Sequence, residues 1–204
     1  MAERRNGIQP PPTDTTVFAD QWVRQDLSGA HFERVKFVDI DMSEMRTQLV
    51  TFSECTFHGV SFNASEYSEA AFLNCTFKRC SFFDVSFDEC KLTGSMFDRC
   101  RFVLLRATGG DWSLVGLPGA DLRGAVFSGV RMREADLTGA TLHKARLQNV
   151  DLADAWLHGA NLSRCDLRGS DLSALDPSSV QLQAALIDPA QAMVIATALG
   201  LRIG

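Results

Sequence analysis

Long apolar runs are missing. No stretch approaches the roughly 20 apolar residues that a membrane-spanning helix requires, which excludes a helical span. Residues 1–16 (MAERRNGIQPPPTDTT) also lack the apolar segment of a secretory signal, and Arg4 and Arg5 alone do not make one. Basic charge is in deficit: 20 Lys and Arg stand against 25 Asp and Glu, a formal net charge of −5 with a pI near 5.3. That balance disfavours direct nucleic-acid binding through a basic face. The few histidines, His31, His58, His143 and His158, have no Cys or His partner at metal-ligand spacing, so no metal site is expected. Glycines never gather into a phosphate-binding loop, and no Ser or Cys stands in a nucleophile-elbow context. The expectation is a cytoplasmic protein that is not an enzyme, with no catalytic residue, no cofactor and no small-molecule substrate.

The helical period of 3.6 and the strand period of 2 are also absent over long stretches. A period of five stands in their place. From Ala120 the chain reads ADLRG AVFSG VRMRE ADLTG ATLHK ARLQN VDLAD AWLHG ANLSR CDLRG, then SDLS. The middle residue of each five is large and apolar (Leu122, Phe127, Met132, Leu137 and onward to Leu172), and two residues before it sits Ala, Val, Cys or Ser. Residues two apart in an extended segment face the same side, so the small residue and the centre both point inward. The last two residues of each five then turn a corner, where Gly59, Gly94, Gly119 and other glycines recur. A right-angle turn every five residues gives a square coil of about 20 residues, and coils stacked about 4.8 Å apart form a parallel β-solenoid.

The register runs without insertion from Trp22 to Ile187, roughly eight coils in one domain. Centres are mostly Phe in the first half and Leu in the second, so the core is expected to change from an aromatic to an aliphatic ladder. Residues 1–16, with three consecutive prolines, are expected to be a flexible tail, and residues 17–187 the solenoid. Three places depart from the pattern. Thr47 replaces a centre behind the large Met45; Leu105, Ala107 and Gly110 break the size rule together; Pro177 occupies a centre. These are either local bulges and corner changes or, at 104–110, a bend that shapes a binding face.

All six cysteines (Cys55, Cys75, Cys80, Cys90, Cys100, Cys165) occupy the small inward position. Cys55 and Cys75, like Cys80 and Cys100, stack in adjacent coils, close enough that geometry does not exclude a disulfide. Their role matches that of Ala elsewhere in the ladder, so reduced, structural cysteines are expected.

Beyond Ile187, Asp188-Pro189 is a helix start, and the helix is expected to stop at Gly200 within a terminal unit of 188–204. Met193, Val194, Ala196, Leu199, Leu201 and Ile203 make that unit too apolar to stand exposed. Either the helix caps its own chain or two such ends meet as a homodimer; the amount of apolar surface favours the dimer. On the solenoid walls, residues 20 apart form columns. Asp111, Asp151 and Asp171 make one, interrupted by Arg131, and Glu134 and Asp154 another on the same face. A second face carries Asp26, Glu66, Glu69, Asp88, Glu89 and Asp166, tempered by Arg46, Arg106, Arg146 and Arg168. Repeated Asp can serve only to fix the turns. Alternatively, the acidic strip makes the rod similar in scale and sign to duplex DNA, suited to a groove lined with Lys and Arg.

The A(D/N)LXX units, such as Ala120-Asp121-Leu122 and Ala160-Asn161-Leu162, resemble the pentapeptide-repeat family over nearly the whole chain past residue 20. A narrower similarity is to the MfpA and Qnr type of fluoroquinolone-resistance proteins, the MfpA branch more than Qnr. It rests on chain length, the uninterrupted register, the Phe- and Cys-rich first half and the terminal Asp188, Gln191, Ala192, Gly200, Leu201 pattern. The resemblance implies an all-β, right-handed quadrilateral parallel β-helix with a short C-terminal α-helix. It also implies a homodimer through the C-terminal ends, and an acidic surface that imitates DNA on DNA gyrase, with topoisomerase IV as a second target. The implied activity is competition with DNA, or protection from quinolone-type or natural-product poisons. The competing reading is a structural solenoid scaffold with an unrelated protein partner.

Overall fold

The computed structural model describes residues 10–18 and 22–202; the expected tail at 1–9 and Ile203 lie outside the described residues. The chain winds as a four-sided parallel β-solenoid and ends in one helix. Every pairing joins residues 20 apart, which is the coil length that the five-residue period implies.

The four faces follow one another along the chain. The first holds Thr15–Phe18, Val35–Val38, Thr56–His58, Thr76–Lys78 and Met96–Asp98. The second holds Ser81–Phe83 paired with Arg101–Val103, and the third is built on six strands from Arg46–Gln48 to Arg146–Gln148. The fourth begins with His31–Glu33, Thr51–Ser53 and Ala71–Leu73 and continues through single bridges Lys91↔Asp111↔Arg131↔Asp151. Strand pairing starts at Thr15, two residues inside the segment expected as tail, and Val17 pairs with the centre Phe37. The solenoid therefore begins one face before Trp22.

Strands dominate the Phe-rich half and single bridges the Leu-rich half, because the corners differ. In the Leu-rich half the N–H three residues after a centre donates to the centre's carbonyl, as from Ala120 to Leu117 and Ala140 to Leu137. With a left-handed residue between them, these are closed turns that shorten the extended segment. Left-handed corners are not a glycine property here: more non-glycine residues than glycines adopt them, among them Asp39, Asn74 and Leu104. Glycine is required where backbones crowd. A Cβ on Gly110 would come within 2.1 Å of the Cys90 carbonyl oxygen, so its small inward position is closed by the corner itself rather than left empty.

The core is continuous from Phe37 to Leu175. Phe37, Phe57, Phe77 and Phe97 stack with centroid spacings of 5.0, 4.8 and 4.6 Å, and rings on neighbouring walls meet edge to face. The stacks take the spacing of the coils because each ring rides on its own coil. Trp112 closes the aromatic half, edge-on to Phe87 and Phe127, and leucines continue from Leu117. At two of the irregular places the size rule is inverted rather than broken: Met45 precedes Thr47 and Leu105 precedes Ala107, and all four are buried. A large residue in the small position compensates a small centre, both times on the third face. Pro177 falls in a local turn at 176–179, after which the ladder resumes with Gln181 donating to Ala160.

All six cysteines are free thiols in the inward positions, Cys100 half-buried and the rest buried. Each thiol of Cys55, Cys75, Cys80, Cys90 and Cys100 donates to the carbonyl of the centre 23 residues earlier, as Cys75 does to Phe52 at 3.4 Å. Burial pushes Cys90 and Cys165 up to about 12. These thiols are held protonated.

The helix α1, Pro189–Ala198, starts where the sequence places it. Asp188 accepts from the Gln191 N–H while the Gln191 side chain accepts from the Asp188 N–H, a reciprocal cap. At its other end Gly200 donates to Thr197 and Leu201 to Ala196, the two bonds of a left-handed stop.

Candidate functional interface

The acidic columns stand on the fourth face as the register requires. Asp111 and Asp151 flank Arg131 in one bridged column, and Asp171 extends it by donating its N–H to Val150. Three of these carboxylates do structural work. Asp111, Asp151 and Asp171 each accept from the N–H two residues on (Ser113, Ala153 and Ser173, at 3.0, 3.1 and 2.8 Å), which ties the turn. Burial opposes ionisation of Asp111, but hydrogen bonds from Ser113 and the charge of Arg131 outweigh it and hold its pKa below the usual range. The Ser173 N–H does the same for Asp171.

Two arginines divide the strip. Arg131 pairs with Asp111 at 3.5 Å, and Arg133 reaches both Asp151 at 3.3 Å and Asp154 at 3.6 Å. Asp154 is the most exposed of the paired acids, and Glu134 is half-buried on a left-handed corner. The arrangement is an acidic face laced with cations, not a bare row of carboxylates.

Charge is nevertheless unequal around the solenoid. The fourth face sets eight acids (Asp14, Glu33, Glu54, Asp111, Glu134, Asp151, Asp154, Asp171) against Arg34, Lys91, Arg131 and Arg133. The adjoining third face sets Asp26, Glu66, Glu69, Asp88, Glu89 and Asp166 against four arginines. Among the described residues of the second face, Arg24, Arg101, Arg123, Lys144 and Arg164 outnumber Asp41, Glu44, Asp84 and Asp121. The negative charge is thus gathered on two adjoining walls and the edge between them.

That edge also holds a recess of about 620 Å³ that the sequence reading missed. Gly109, Gly110 and Gly129 leave the corner bare, while Glu89, Asp111, Arg131 and Asp151 stand around it. The Glu89 carboxylate lies across Gly109 and accepts from the Gly110 N–H at 3.1 Å. Glycines in adjacent coils at one corner were the available signal. The irregularity at 104–110 is therefore a notch in the acidic edge. Among the described residues no cluster of three or more His, Cys, Asp or Glu is arranged to hold a metal ion, and no helix is long and apolar enough to cross a membrane.

The C-terminal helix serves its own chain on one side. The Gln191 side-chain amide is buried and donates to the carbonyls of Leu167 and Ser170, and Ile195 packs on the core. The other side is open. Met193, Val194, Leu199 and Leu201 are exposed, Leu201 by 61%, while Ala196 is half-buried. Capping and an open apolar surface coexist.

The family model described as "Pentapeptide repeat region" matches residues 50–125, and "Pentapeptide repeats (8 copies)" matches 117–143 and 145–176. No curated protein matches the chain. Among solved structures, a trypsin-treated variant of QnrB1, a plasmid-mediated fluoroquinolone resistance protein, aligns with a TM-score of 0.54 at 22% identity, over 94% of this chain and 99% of that one. HetL, a pentapeptide repeat protein involved in heterocyst differentiation regulation from the cyanobacterium Nostoc sp. Strain PCC 7120, aligns with a TM-score of 0.38 at 19% identity over 86% of each chain.

Proposed function

This chain belongs to the pentapeptide-repeat family, and from that premise we propose that it is a DNA-mimicking protein that binds DNA gyrase, with topoisomerase IV as a second target. It competes there with DNA, or protects the enzyme from quinolone-type or natural-product poisons. The observation that carries the reading is the gathering of net negative charge on two adjoining walls of a four-sided solenoid. A polyanionic strip of that kind steers toward a Lys- and Arg-lined groove built for a duplex. The fold shared with QnrB1, itself a fluoroquinolone resistance protein, supports it. Asp111, Glu134, Asp151, Asp154 and Asp171 are the proposed contact residues. A homodimer through Met193, Val194, Ala196, Leu199, Leu201 and Ile203 would double the length of the strip.

Gyrase supercoiling and cleavage assays, titrated with the protein in the presence and absence of ciprofloxacin, test this. The expected result is inhibition at micromolar protein or fewer drug-stabilised breaks. The informative variant is Asp111→Asn, Asp151→Asn and Asp171→Asn together with Asp154→Asn. Asparagine keeps the oxygen that ties each turn and removes the charge, so activity should fall at least tenfold while the protein stays folded, with only a modest drop in melting temperature from the lost Asp111 and Asp171 carboxylates. Retained inhibition would move the contact to another face.

The ion pairs from Arg131 and Arg133 favour a second reading, a scaffold for an unrelated protein partner, because they blunt the resemblance to a continuous polyanion. No effect on gyrases from several bacteria would select it.

A further inference from the structure

The second face, opposite the acidic fourth, carries a feature that neither folding nor solubility explains. Phe83 and Val103 pair directly in adjacent coils and are exposed by 48% and 44%. Leu104 beside them is exposed by 52% and sits on a corner at φ +58°. A leucine there is disfavoured twice, by backbone sterics that glycine avoids and by water contact. Leu49, the other exposed leucine on a left-handed corner, stands alone between Gly29 and Glu69 of the adjoining coils. Leu104 instead completes a contiguous apolar patch with Phe83 and Val103.

One coil further, Gly124 takes the corner position above Leu104, and a Cβ there would meet nothing within 4 Å. This leaves a recess of about 470 Å³ whose walls are Val103 on one side and His143 and Lys144 on the other. Arg123 on its floor is neutralised by a two-bond pair with Asp121. Lys144, with Arg101 and Arg164 on the same face, makes no ion pair among the described residues. An apolar step therefore leads into a recess with the unpaired cation Lys144 in its wall, and Arg101 and Arg164 stand elsewhere on the same face.

We propose that this face is a second docking surface, for a segment of an acidic protein that sets an aromatic or aliphatic side chain on Phe83, Val103 and Leu104 and a carboxylate against Lys144. Charge complementarity selects the occupant: the patch alone would take any apolar group, but the bare cations favour a partner whose anchor is flanked by Asp or Glu. The surface lies opposite the fourth wall, which carries the proposed gyrase contacts, so a partner held here leaves those residues free.

A library of displayed 12-residue peptides selected against the full-length protein tests this. The recovered consensus is then labelled and titrated by fluorescence anisotropy. The expected consensus combines an aromatic or aliphatic residue with carboxylates and binds more weakly as salt rises. Lys144→Glu and Leu104→Gly should each weaken it at least tenfold; glycine relieves the corner, so loss of binding without loss of melting temperature separates contact from folding. Failure to recover a saturable peptide, a consensus without carboxylates, or binding indifferent to both variants would overturn the proposal. So would tighter binding of a 20-base-pair duplex sensitive to Lys144→Glu, which makes the face a nucleic-acid surface. A halved molar mass for Leu104→Glu in light scattering would overturn it too, by assigning the patch to a second copy of this chain.

Discussion

Ser65, Ser95 and Ser170 show how a single side chain holds two coils together. Each hydroxyl accepts from the N–H of the small-position residue 20 earlier and donates to the centre carbonyl 23 earlier: for Ser95, the Cys75 N–H at 3.0 Å and the Phe72 carbonyl at 2.8 Å. The turn below is open, and the serine bridges the two groups that a closed turn would join directly. Ser95→Ala strands both groups in a buried wall, and buried unsatisfied groups cost about 1–3 kcal/mol each. Chemical denaturation should therefore show a loss of about 2 kcal/mol or more, with Ser95→Cys recovering part of it through the thiol donor. An equal loss in the two variants would mean that volume, not bonding, decides the position. Sequence reading found these serines only as small residues. It could not find the bonds, because their partners lie 20 and 23 residues away.

At the scale of one wall, the inverted pairs Met45/Thr47 and Leu105/Ala107 conserve volume across two positions. The Thr47 hydroxyl is buried without a partner, so its site is chosen for size. Met45→Ala alone opens a cavity, a change that costs about 2–5 kcal/mol in other cores, and Thr47→Leu alone overpacks, at about 1–3 kcal/mol. The double variant restores the ordinary pattern. Its stability should exceed the sum of the single effects by more than about 1 kcal/mol, measured as a double-mutant cycle. Additive effects would show that the two side chains do not share one space. Both irregular places were legible in the sequence as breaks in the size rule, but that the two positions exchange volume was visible only once all four residues were seen buried.

For the molecule as a whole, acid titration and association are the telling measurements. Asp166 is held at about 2 by the Arg168 guanidinium, aided by the Arg168 N–H and the Gln148 amide, against an unfolded carboxylate near 3.9. A lowered pKa stabilises the fold above the unfolded value and loses that contribution as pH falls toward the folded one. Asp121, Asp171, Asp176 and Asp188 shift in the same direction. The melting temperature should be level from about pH 8 to 5 and fall between about pH 4 and 2, and Asp166→Asn should flatten that fall. A pH-independent melting temperature down to 2 would contradict it. Association is read by light scattering: Val194→Glu with Leu201→Glu should convert a dimer to a monomer, and a monomeric wild type would leave α1 as a cap alone.

The solenoid, its four sides, the aromatic-to-aliphatic core and the capped helix at Asp188 were all legible in the sequence by itself. A five-residue repeat with a recurring inward pair leaves the backbone one way to bury its apolar residues, so neighbours within each five carry the information. What only the tertiary structure decided are the properties that arise between coils. The size compensation behind Thr47 and Ala107, the glycine notch at Gly109 and Gly129, the arginines that divide the acidic face, and the patch at Phe83, Val103 and Leu104 all join residues that are distant along the chain. A period locates each residue on its wall, but side-chain reach, ion pairing and exposure depend on the coils above and below it.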